Sequence, residues 1–207
     1  MKMPLPTEIL IATRNTGKLR EAQELLSDLP VRLRNLAEFL QTGEVEETGA
    51  TFSENASLKA QAYAAQTGLW TLADDSGLEV DALGGAPGIY SARYAGAGAT
   101  DVQRIARLLE ELRHVDEQSR TARFVCAIAF ADTKGNVINV SLGTCEGRIA
   151  REPHGTGGFG YDPIFIPDGY EESFAQLPSE IKSQISHRAR ALHATRAFLL
   201  THFRDVT

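Results

Sequence analysis

The chain has 207 residues, enough to bury a sizeable core in one domain, with room for two lobes. Apolar content of 43% and charged content of 23% are those of a globular protein, and a net charge of −6 argues against a broad electrostatic footprint for a nucleic acid polymer. The longest strictly apolar run, 124–131, is far too short to cross a membrane, and the first ten residues lack a signal-peptide apolar centre, so a cytoplasmic protein with no membrane partner is expected.

Residues 8–13 read as a short apolar strand. From Thr16 the apolar spacing turns helical through Leu19, Ala22, Leu26 and Leu29, and Pro30 ends it before a second strand at 31–36. An acidic loop covers 44–49. The next helix, 51–67, puts Phe52, Ala56, Ala60 and Tyr63 on one face and closes at Gly68. Strands at 69–73 and 78–83 flank a turn at Asp74-Asp75-Ser76-Gly77. Residues 84–98, rich in Gly and Ala, form an ordered loop. The segment 100–115 is an amphipathic helix with Val102, Ile105, Leu108, Leu109 and Leu112 inward.

Strands 122–132 and 137–148 pair antiparallel around Lys134-Gly135-Asn136. A glycine-rich loop at 151–162, a short strand at 164–166 and a helical region from 179 to about 203, broken at Ser186, complete the chain. Cys126 and Cys145 read as buried strand residues. With no CxxC and no HxxxH pair, a structural zinc site is not expected. The fold class that follows is α/β, a mixed sheet with flanking helices.

Four groups of residues could carry chemistry. Thr13-Arg14-Asn15-Thr16-Gly17-Lys18 joins the first strand to the first helix, where backbone N–H groups and the helix dipole suit phosphate. Ala12 and Leu19 depart from a Walker P-loop, and a plain capped helix start explains these six residues as well. Glu46 and Glu47 lie in the acidic loop, and Lys59 borders the inward face of the following helix, where it can snorkel or enter a polar cleft. Asp74-Asp75-Ser76-Gly77 suits a β-turn and a Mg²⁺ site equally. Strand alternation sends the two aspartates to opposite faces, Asp74 with the bulky Trp70 and Leu72, Asp75 with Thr71 and Ala73. Gly157-Gly158-Phe159-Gly160-Tyr161-Asp162-Pro163 offers an aromatic for stacking a base, or a core anchor. Lys182, His187 and Arg188 offer donors, or the solvated side of a helix.

Taken in order, Thr13-x-Asn15-x-x-Lys18, Glu46-Glu47-Thr48-Gly49, Thr51-Phe52-x-Glu54-Asn55-Ala56-x-x-Lys59-Ala60, Ala73-Asp74-Asp75-Ser76-Gly77-Leu78, the run from Gly84 to Tyr94, the run from Gly157 to Pro163, and Ser186-His187-Arg188 resemble the inosine triphosphate pyrophosphatase family, in its bacterial dITP/XTP pyrophosphatase type. The resemblance implies a long mixed sheet, two lobes around a central cleft, and a homodimer. It implies Mg²⁺-dependent hydrolysis of ITP, dITP and XTP to the monophosphate and pyrophosphate. It also implies residue roles. Thr13, Arg14, Asn15, Thr16, Gly17 and Lys18 bind the triphosphate and Ser76 contacts substrate. Glu46 and Asp75 serve the metal, and Asp75 accepts the proton of water with Lys59 beside it. Phe159, Gly160, Tyr161, Asp162, Lys182, His187 and Arg188 hold the base.

That chemistry is physically coherent. Phosphoryl transfer needs positioning and charge neutralisation, which lysines and a cation supply. Beside two lysines and a metal, Asp75 is expected to stay ionised. The C6 oxygen of inosine and xanthine accepts hydrogen bonds from the donors Lys182, His187 and Arg188, where adenine would leave them unpaired. Two rivals are a nucleotide sensor that binds without hydrolysis and a Maf-like pyrophosphatase acting on modified pyrimidines.

Overall fold

A computed structural model describes residues 3–204. Its strands and helices run β1 (Met3–Pro4), β2 (Glu8–Ile11), α1 (Thr16–Leu25), β3 (Arg32–Asn35), α2 (Phe52–Thr67), β4 (Trp70–Val80), α3 (Asp101–Glu111), β5 (Thr121–Ala131), β6 (Val137–Ile149), β7 (Phe165–Pro167), α4 (Ser179–Ile185), α5 (His187–His202) and β8 (Phe203–Arg204). The main sheet has six strands in the order β3-β2-β4-β5-β6-β7, and β1 pairs with β8 separately. β2 is parallel to both β3 and β4, with Ile9 opposite Leu33 and Trp70, while β6 and β7 are antiparallel. The five-residue connection from β5 to β6 leaves room only for a hairpin. The sheet is therefore mixed, as expected.

The chain divides into two compact units: Met1–Asp75 with Cys126–Gly143 and Arg188–Thr207, and Ser76–Val125 with Thr144–His187. β4, β5 and β6 each contribute residues to both. The core of the first unit joins Ile9, Ile11 and Leu72 of the sheet to Ala22 and Leu26 of the α1 segment and Ala191, Leu192 and Leu199 of α5. The second core gathers Leu78, Phe124, Ile149 and Phe165 around Ile105 and Leu108 of α3.

Local signals explain most boundaries. Thr51 caps α2 by accepting the Glu54 N–H, and Gly68 ends it at φ 68°, a conformation that costs glycine little. Phe52, Ala56, Ala60 and Tyr63 are all buried. Ser186 separates α4 from α5 with extended backbone.

Two expectations fail. The segment from 69 to 83 is not two strands around a turn: β4 runs unbroken through Asp74, Asp75, Ser76 and Gly77. Pairing with neighbouring strands overrides the local turn preference of Asp, Ser and Gly. Val102, expected inward, is 76% exposed, because Thr100 caps α3 and its first turn points outward. Cys126 and Cys145 are buried free thiols, and burial pushes Cys126 up to about 12, so it is inert.

Candidate active site

In the first unit, β2 delivers the chain to residues 12–15 and α1. The Thr13 hydroxyl accepts the Asn15 N–H (3.2 Å), Asn15 Oδ1 accepts the Lys18 N–H (3.0 Å), and Arg14 donates to the Thr42 carbonyl (3.1 Å). Thr16 and Gly17 open α1, where the first N–H groups of a helix have no intrahelical partner. The Lys18 ammonium lies 2.8 Å from Asp74. A cavity of about 240 Å³ is lined by Thr13, Arg14, Lys18, Glu47, Lys59 and Asp74, among others. Its full lining carries three cations, Arg14, Lys18 and Lys59, and three carboxylates, Glu44, Glu47 and Asp74, so it offers donors for an anion beside carboxylates for a cation.

The two faces of β4 differ. On one, Asp74 Oδ2 meets Lys18 and stands 3.5 Å from Arg188 Nε, whose Nη1 reaches Glu21 at 2.5 Å. Burial alone would raise the Asp74 pKa, but the charges of Lys18, Arg188 and Lys59 outweigh it and hold the carboxyl well below the usual range. On the other face, α2 presents Lys59, 3.0 Å from Asp75 Oδ1, and Asn55, whose amide donates to Asp75 Oδ2 (3.3 Å). Here burial wins. Asp75, 7% exposed, is raised despite Lys59, and Glu47 adds to the rise. Asp75 therefore holds a proton more readily than an ordinary aspartate. Lys59 stays charged: burial opposes this, but Asp75, Asp74 and Glu47 dominate.

Lys59 also binds Glu47, at 2.7 Å. Glu46, expected to serve the metal with Asp75, is exposed. Asn55 fastens that loop by accepting the Gly49 N–H at 2.8 Å. A side chain at Gly49 would meet Asn55 Oδ1 at 2.8 Å and Glu54 Cβ at 2.6 Å, so only glycine fits.

In the second unit, Lys182 Nζ lies 4.7 Å from the Phe159 ring centroid and 2.6 Å from Asp162 Oδ2. The Asp162 carboxylate also accepts the Phe159 N–H (2.8 Å). At Gly158, with φ +71°, a Cβ would fall 2.0 Å from Asp162 Oδ2. The Gly160 N–H donates to Asp101 (2.8 Å) and the buried Tyr161 hydroxyl to the Ser91 carbonyl (3.0 Å). Phe159 is half-buried. His187 is buried and stacked on Phe124, with centroids 4.6 Å apart and planes at 12°. Ser76 follows Asp75 on β4 and is half-buried.

Lys182 thus shares its unit with Phe159, whereas Arg188 belongs to the unit of Asp74 and is buried there as a charged group. The solvated-helix alternative for His187 and Arg188 does not hold. Sequence reasoning assigned no role to Glu21, Asn55 or Asp101. Helical spacing held a signal for two of them: Glu21 is three residues after Lys18, and Asn55 four before Lys59.

Residues 9–198 match the model of the Ham1 family. The chain belongs to the Ham1 family. Among Ham1 relatives, a Bacillus subtilis protein named dITP/XTP pyrophosphatase is 47% identical over 190 residues, 92% of this chain and 96% of the relative. A protein of that name from Coxiella burnetii is 47% identical over 199 residues, 93% of this chain and 99% of its own. The structure of a HAM1 protein from Coxiella burnetii matches with a TM-score of 0.86 at 46% identity, covering 94% of this chain and 98% of that one. The Staphylococcus aureus Ham1 structure follows at 0.82 and 44%, covering 93% and 97%.

Proposed function

We infer that this Ham1 protein hydrolyses the noncanonical purine nucleoside triphosphates dITP, XTP and ITP to the monophosphate and pyrophosphate, with Mg²⁺ as cofactor. The relatives' names support the reaction class. The observation that carries the reading is Asp75: a buried carboxylate with raised proton affinity, bonded to Lys59 on the wall of a cavity that also bears Arg14 and Lys18. A carboxylate beside one with the opposite shift is the usual arrangement for an acid–base residue.

Among the described residues no group of three or more His, Cys, Asp or Glu is placed to hold a metal. Mg²⁺ needs fewer, since one or two carboxylates and the substrate phosphates commonly suffice. Glu47 and Asp75, which share the Lys59 ammonium, form such a pair, so the donors fit. When bound, Mg²⁺ supplies charge neutralisation and a more acidic water. Asp75 is placed to take the proton from the attacking water. The water oxygen bonds to phosphorus, the bridging P–O bond breaks, and its electron pair leaves with pyrophosphate. Lys18, with the N–H groups of Thr16 and Gly17, offsets the phosphate charge. Thr13, Arg14 and Asn15 shape that loop. Phe159, with Gly160, Tyr161, Asp162 and Lys182, is assigned to the base, and Ser76 to substrate contact.

The same proposal treats the whole chain as one catalytic domain acting in the cytoplasm as a homodimer. No helix among the described residues is long and apolar enough to cross a membrane. The exposed Val140 and Leu142 of β6 support self-association, and a single-chain mass by light scattering would exclude it.

The test is incubation with Mg²⁺ and XTP, dITP, ITP, ATP, GTP or dTTP, with products identified by ³¹P NMR. Pyrophosphate from XTP, dITP and ITP, with ATP and GTP spared, is the expected result. Orthophosphate release, equal use of ATP, or preference for dTTP would overturn it.

A further inference from the structure

Three contacts link four charged side chains in sequence: Lys18 Nζ to Asp74 Oδ2 at 2.8 Å, Asp74 Oδ2 to Arg188 Nε at 3.5 Å, and Arg188 Nη1 to Glu21 Oε2 at 2.5 Å. Lys18 and Arg188 therefore compete for one carboxylate oxygen. Arg188 is 4% exposed at its side chain, so its charge must be met by protein groups. Glu21 meets it at the shorter distance and draws the guanidinium away from Asp74. Lys18 keeps the shorter contact with Asp74, 2.8 Å against 3.5 Å, and stands on the wall of the cavity assigned to phosphate. Glu21 and Lys18 share α1 at a spacing of three residues, so one rigid element sets both.

We propose that Glu21 is a positioning residue: by holding Arg188, it fixes the Lys18 ammonium against Asp74 at the phosphate cavity. The idea rests on the functional reading above. Without the Glu21 charge, Arg188 closes on Asp74 and displaces Lys18. Lys18 acts on bound phosphate in the ground and transition states alike, so its displacement weakens binding more than turnover.

The experiment compares XTP hydrolysis in Mg²⁺ by the wild type, Glu21→Gln, Lys18→Met and the double variant. Glu21→Gln is expected to raise KM about tenfold with kcat within about twofold. In the Lys18→Met background the same change should add less than about twofold, because both act through one group. Glu21→Asp, which keeps the charge, should recover part of the loss. Asp28→Asn, which breaks the surface pair between Asp28 and Arg196 of α5, should leave KM unchanged. An unchanged KM in Glu21→Gln, or an equal rise with and without Lys18, overturns the proposal. Should Glu21→Gln fail to fold, Glu21→Met, which also removes the charge, decides: a raised KM at an unchanged melting temperature supports it, and an unchanged KM overturns it. A wild type that releases no pyrophosphate overturns the functional reading instead.

Discussion

Asp74 and Asp75 are neighbours on one strand, yet the two faces of β4 treat them in opposite ways. On the Asp74 face, Lys18 and Arg188 overcompensate burial, and the carboxylate is locked in its ionised form. On the Asp75 face, burial and Glu47 outweigh Lys59, and the carboxylate is readier to take a proton. Proximity in sequence therefore says little about role. The element packed on each face decides: α1 and the start of α5 supply charges to one aspartate, while α2 supplies one ammonium and one amide to the other.

The largest effect should follow from loss of the proposed base. Asp75→Asn is expected to lower kcat for XTP by about 10³-fold while binding persists, in the range for a removed general base. Stopped-flow turnover and equilibrium binding check this. Asp74→Asn should act mainly on the fold. It strips Arg188 and Lys18 of a shared counter-charge, and breaking a buried pair costs about 3 kcal/mol, read by urea unfolding.

A smaller effect tests the second unit. Phe159→Ala should raise KM for XTP and dITP about tenfold if the ring stacks a base, and an unchanged KM would remove that role. The smallest effect is a shift in pH. As the proposed base, Asp75 would act only when deprotonated, so activity should fall as pH drops through its raised pKa. The acid limb should therefore lie above the ordinary aspartate value at low Mg²⁺. More Mg²⁺ should move the limb to lower pH, because a cation favours the ionised carboxylate. The stability owed to Asp74 has the sign of a depressed carboxyl: present above its unfolded value, and lost only as pH falls through the lower folded one.

Much of this was legible in the chain. Apolar spacing located α1, α2 and the β5–β6 hairpin, because local periodicity and caps agree with the fold there. Strand alternation separated the two aspartates. The continuity of β4 was not legible, since Asp-Asp-Ser-Gly carries strong turn signals that only pairing across the sheet overrides. Nor could the sequence show that Lys59 reaches Glu47 from α2. Arg188 reads from sequence as a base-edge donor or a solvated helical residue, and its burial against Glu21 and Asp74, each far away in sequence, was not legible.

The division between the two aspartates is tested most directly by the melting temperatures of Asp74→Asn and Asp75→Asn at neutral pH. A carboxyl whose folded pKa is raised weakens the fold when ionised, and one whose folded pKa is depressed strengthens it. Asp75→Asn should melt at or above the wild type, and Asp74→Asn clearly below it. An Asp75→Asn variant that melts lowest, or an Asp74→Asn variant indistinguishable from the wild type, would contradict the account.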